Sequence, residues 1–85
     1  MTNINEKREV IIDSFSGDSG VFKQYPKDIV SIAIVNDGTS DLVIDLGYCK
    51  VAVKPDEVFD DNIAPQKSFG IQTNGPFRSI VRGEC

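Results

Sequence analysis

The chain has no histidine, no tryptophan and only two cysteines among its 85 residues. Each absence removes a class of chemistry. Structural zinc sites draw four ligands from cysteine and histidine, a set that cannot be assembled here. Two cysteines do not make a disulfide framework. Cys49 lies in a strand-like segment and reads as a small buried hydrophobe, Cys85 is the last residue, and a bridge between them stays open as an alternative. No apolar run approaches the length of about 18 residues that a membrane span needs, and the richest stretch, residues 29–35, is strand-sized. The opening MTNINEKREV lacks the apolar core of a secretory signal. The expectation is a protein made in a cytoplasm and kept there, or packaged into something assembled there. The net charge of −4 offers no attraction to nucleic acid or to an anionic membrane.

What remains is an ordinary globular composition, 40% apolar and 26% charged, in a length that suits one domain. Alternation with period two dominates, and no helical stripe of useful length appears. In IVSIAIVN, Val30, Ile32 and Ile34 share one face, with Ser31 and Ala33 on the other. DGTSD follows as a turn, and LVIDLG then points Leu42, Ile44 and Leu46 inward, so the two runs are expected to form an antiparallel hairpin. YCKVAVK continues with Cys49, Val51 and Val53 inward, and Pro55 ends it. Downstream, EVF is a short strand, DDNIAPQK a polar loop, SFGIQT a strand with Phe69 and Ile71 inward, NGP a turn and FRSIVRG the last strand. Upstream, REVIIDSF is a first strand, followed by a turn and a loop through Tyr25 and Pro26. The sum is an all-β fold, a small antiparallel β-sandwich, Ig-like or jelly-roll-like, of six or seven short strands. Residues 1–7 read as a polar arm and 8–85 as the single sandwich domain.

Few motifs carry chemistry. SGDSGVF holds the letters GDSG that flank the nucleophile of one large group of serine proteases. Without histidine Ser19 has no ordinary base, and the chain is too short for the paired barrels of such enzymes. Gly17, Asp18, Ser19 and Gly20 are turn residues, and a turn is the reading. PDEVFDDN gathers Asp56, Glu57, Asp60 and Asp61. Such carboxylates can hold calcium or run glycoside hydrolysis, but neither spacing pattern is met, and a solvated acidic loop is the reading, with calcium left open. Arg78 and Arg82 lie four apart, on one face of the last strand with Lys67 near, and can grip an anionic partner. Tyr25 and Tyr48 are the candidates for a sugar platform, while Phe59, Phe69 and Phe77 read as packing residues. No catalytic residue, cofactor or metal is expected, and the protein is read as non-enzymatic.

The runs IAIVNDGTSDLVIDL, VAVKPDEVFDD and SFGIQTNGPFRSIVRG resemble small all-β virion proteins of bacteriophages that infect Gram-positive hosts. The resemblance covers residues 29–83. It implies a capsid decoration or head–tail accessory role in the virion, many copies binding neighbouring virion proteins, and no nucleic acid or membrane partner. It transfers no ligand residue. The acidic group Asp56, Glu57, Asp60 and Asp61 and the basic pair Arg78 and Arg82 are the candidate partner contacts, opposite charges that can meet between copies. The alternative is a small carbohydrate- or host-surface-binding sandwich that uses its loops.

Overall fold

The computed structural model describes residues 9–84, so the arm over residues 1–7 and Cys85 lie outside the described residues. Six strands follow one another: β1 (Glu9–Gly17), β2 (Val21–Asn36), β3 (Leu42–Asp45), β4 (Lys50–Val53), β5 (Val58–Gln72) and β6 (Phe77–Glu84). They form one antiparallel sheet in the order β1-β6-β2-β5-β3-β4. The all-β antiparallel class is as the alternation implies. The expected hairpin of β2 with β3 is not formed, because β5 lies between them and pairs with both.

The strands are not uniformly short, and the longest two set the architecture. β2 and β5 run 16 and 15 residues and pair along their length through two irregularities. Residues 25–28 of β2 stand opposite Lys67 alone; then Val30 stands opposite residues 63–65 of β5. Pro26 lies in the first irregularity and Pro65 in the second. Proline has no N–H to give a ladder and is tolerated in a sheet at edges and bulges. The loop expected through Tyr25 and Pro26 and the polar loop expected over DDNIAPQK are therefore bends inside continuous strands.

The bend divides the sheet into two packed layers. Residues 29–36 of β2 and 58–62 of β5 join β6 and β1 in a first layer; residues 21–24 and 68–72 join β3 and β4 in a second. Ile32, Ile34 and Val81 of the first face Leu42, Ile44, Phe69 and Ile71 of the second within one apolar cluster. Phe15 bridges the layers: its ring centroid lies 6.5 Å from that of Phe69 and 5.9 Å, edge-on, from that of Phe77. The inward positions Leu42, Ile44, Leu46, Val53, Phe69 and Ile71 are buried as their alternation predicts. Val30 is buried but lies outside the core cluster. The extra residue at the bulge breaks the period, and Ile29 joins Ile32 inward in its place. Cys49 is exposed rather than buried, since it falls in the β3–β4 turn whose glycine, Gly47, adopts φ +87°.

Two polar contacts lock the layers. Asn36 is fully buried and its polar groups are engaged. Its N–H donates to the Glu57 carbonyl (3.1 Å) and its carbonyl accepts from Asp56 N–H (2.9 Å). Nδ2 donates to the carbonyls of Ser40 (2.8 Å) and Val53 (2.9 Å), and Oδ1 accepts from Gly38 N–H (2.9 Å). The side chain thus ties the β2–β3 connection to the end of β4, and the backbone of the same residue holds the β4–β5 turn. At the other contact, Tyr25 Oη donates to Asp13 Oδ2 at 2.8 Å, with Lys23 Nζ 3.4 Å from that oxygen and 4.6 Å above the Phe15 ring centroid. The opposite case is Ser79, whose buried hydroxyl has no partner among the described residues.

Asn36→Ala strands two carbonyls and an N–H and should cost about 3 kcal/mol in urea unfolding at unchanged m-value; a loss below about 1 kcal/mol would contradict this role. The Tyr25 hydroxyl, aided by Lys23, holds Asp13 below its ordinary value, while burial and then Asp13 push Tyr25 up. The stability from Asp13 is present above about pH 4 and lost on acidification; that from Tyr25 is lost as pH rises past about 10, where the unfolded tyrosine ionises first. Tyr25→Phe is expected to flatten both limbs of a stability–pH profile relative to wild type.

Candidate functional site

Cross-strand partners share a face, so the register fixes what the first layer shows to solvent. Reading from β5 to β1, one row is Val58, Val35, Arg78 and Ser16; the next is Asp60, Ala33, Ile80 and Ser14; the third is Asn62, Ser31, Arg82 and Ile11. The apolar members make a diagonal stripe: Val58, Val35, Ala33, Ile80, Ile11. Val58 is 61% and Ile11 59% exposed, and the three between are half-buried. A shallow concavity of about 430 Å³ sits on the stripe, lined in part by Ser14, Ser16, Ala33, Val35, Arg78 and Ile80. Isolated exposed apolar residues are common on monomers, whereas a contiguous stripe framed by charge is the usual form of a docking surface.

Two ion pairs frame it. Arg78 Nε and Nη2 donate to Asp37 Oδ2 (2.8 Å) and Oδ1 (3.0 Å), a two-pronged contact that holds Asp37 below its ordinary value. Arg82 Nη1 lies 3.5 Å from Asp60 Oδ1 and the same distance from Ser31 Oγ.

The six residues singled out in the sequence do not converge. Arg78, Arg82 and Asp60 reach the framed face, and Asp60 meets Arg82 within one chain. Asp56 and Glu57 belong to a tight turn, where Glu57 N–H donates to the Lys54 carbonyl (3.0 Å) and Glu57 Oε1 accepts from Lys54 N–H (3.0 Å). Pro55 followed by Asp56 at φ +66° is the pattern of a type II turn, with aspartate in the place glycine usually takes. Asp61 accepts from the next residue's N–H (Asn62, 2.7 Å), and on the far edge Asp13 does the same for Ser14 (2.8 Å). With the β1 bulge between Ile11 and Asp13, these aspartates occupy edge N–H groups that strand addition would need. The layer is guarded at its edges and open on its face. Lys67 pairs with Asp28 rather than with the arginines. Tyr25 is half-buried against Asp13, and Tyr48 is exposed, its hydroxyl accepting from Ala64 N–H.

Sequence reasoning missed Asp37, Ile11 and Val58. Asp37 looked like turn filler, and its tie to Arg78 depends on β6 lying beside β2, which no local pattern encodes. Among the described residues no three cysteine or acidic side chains are grouped to hold a metal ion.

Comparison with protein-family models, with curated proteins and with solved structures finds nothing that matches the chain. The Asp37–Arg78 pair is solvent-facing, so Arg78→Gln and Asp37→Asn should each leave the urea midpoint close to that of the wild type. A clear fall of the midpoint in either variant would make this pair structural rather than a frame.

Proposed function

We propose that the chain is a non-enzymatic structural protein of a bacteriophage virion, a capsid decoration or head–tail accessory subunit, and that it docks on neighbouring virion proteins through the outer face of its first layer. The observation that carries the docking is the exposed diagonal from Val58 to Ile11 between the Asp37–Arg78 and Asp60–Arg82 pairs. Burying such a stripe supplies affinity in proportion to apolar area, and the ion pairs at its margin supply orientation. The virion setting is supported by the resemblance over residues 29–83. Because Asp60 and Arg82 satisfy each other within a chain, contact between copies falls to the apolar stripe more than to exchange of opposite charges. The second reading, a small carbohydrate- or host-surface-binding module, is favoured by an exposed phenylalanine, Phe22, on the outer face of the other layer.

Val58→Glu and Ile11→Glu put charge at the two ends of the stripe without touching the core. The wild-type chain is expected to co-sediment with purified capsids or tails, and each variant to bind at least about tenfold more weakly while its circular dichroism is unchanged. Equal binding by wild type and both variants would overturn the docking face; no wild-type binding to either particle would overturn the virion setting.

A further inference from the structure

The outer face of the second layer carries Val43 and Ala52 at one end and a single aromatic ring among polar groups at the other. Its register places Phe22 beside Gly70, Gly70 beside Asp45 and Asp45 beside Lys50, with Gln24 paired to Ser68 on the same face. Phe22 is 66% exposed. Gly70 is a glycine inside a strand, where a missing side chain often marks close approach by another group. A Cβ there would sit 3.8 Å from Phe22 Cδ1 and 3.7 Å from Asp45 Cβ, so glycine keeps the floor between ring and carboxylate open. The result is a cleft of about 330 Å³ whose walls include Phe22, Asp45, Gln66, Ser68 and Gly70.

The polar groups of this cleft are already oriented. Gln66 Nε2 donates to the carbonyls of Leu46 (3.0 Å) and Ser68 (2.7 Å), which uses both amide hydrogens and leaves Oε1 to accept from a ligand. Asp45 Oδ1 accepts from Gly47 N–H (2.9 Å), which fixes the carboxylate and leaves Oδ2. Acceptors held before binding lose little freedom when a ligand arrives. An exposed ring beside fixed acceptors suits a ligand with an apolar C–H face and hydroxyl donors around its rim. A cation also suits a ring with a carboxylate. Here, however, Lys50 is the cross-strand partner of Asp45 and offsets its charge, and the other lining groups are neutral.

We propose that the Phe22–Gly70–Asp45 cleft binds a pyranose sugar, its C–H face against Phe22 and its hydroxyls donating to Asp45 Oδ2 and Gln66 Oε1. This gives a ligand site to the carbohydrate reading and is independent of docking by the first layer, which uses the opposite side of the sandwich.

The test is an NMR titration of the full chain with methyl β-glucoside, methyl β-galactoside and N-acetylglucosamine, with arginine amide as the cationic control. For ligands this small, saturable shifts at Phe22, Gly70 and the Gln66 side-chain amide are expected in about the millimolar range with at least one sugar. Phe22→Ala should weaken that binding at least about tenfold, and Phe22→Tyr should retain it. No saturable shift at these positions with any sugar, a response unchanged in Phe22→Ala, or a response to arginine amide alone would overturn the assignment. Particle binding by Phe22→Ala at the wild-type level would show that the docking reading stands or falls separately.

Discussion

The β2–β5 pair turns a corner, and the turning of that corner makes a six-stranded ribbon into a sandwich. A flat sheet of this sequence would leave one apolar face in water; folding across residues 25–28 and 63–65 lets Ile32, Ile34 and Val81 meet Leu42, Ile44, Phe69 and Ile71. Two bulges on opposite strands accomplish the fold, each holding a proline that a straight central ladder would not accept. The remaining strands attach to the halves so created, β6 and β1 to one and β3 and β4 to the other. A chain of this length has little core to spare, so each lock across the layers carries a large share of a small total. Asn36 fastens one such lock with a buried amide, and the Tyr25–Asp13 contact fastens β1 to β2 beside the bend.

The same corner separates two surfaces of different character. On the first layer the outward rows carry an apolar diagonal between ion pairs; on the second they carry glutamine, serine, aspartate and lysine around a single ring, with Val43 and Ala52 beyond them. The edges of the first layer are closed to strand addition by a bulge and by aspartates that accept from their own neighbours. Recognition is thereby left to the faces, the first proposed to dock on protein and the second to hold a small neutral polyol.

Local pattern in the sequence reveals the parts of this fold that local physics decides. Period-two alternation places Leu42, Ile44, Leu46, Phe69 and Ile71 inward, and Pro55 with Asp56 marks a turn, because burial and turn chemistry act over a few residues. What it hides is what depends on partners distant in the chain. Pro26 and Pro65 read as breaks, although each lies in a bulge within a strand whose neighbours restore pairing beyond it. The insertion of β5 between β2 and β3 leaves no trace in periodicity, and the Asp37–Arg78 pair follows from topology alone. Alternation carried through a bulge puts Val30 on the face of Ile32, and carried into a turn puts Cys49 inward; Val30 is buried but outside the core cluster, and Cys49 is exposed. Of the acidic group, only Asp60 joins the arginines, because Asp56 and Glu57 are used by their own turn.

The pairing of β2 is the most direct measure of this account. Cross-strand backbone NOEs should connect Phe22 with Gly70 and Ile34 with Phe59, placing one continuous strand in both layers, with none joining β2 to β3. NOEs that instead pair residues 29–36 with 42–46 as a hairpin would contradict the corner and the two faces built on it.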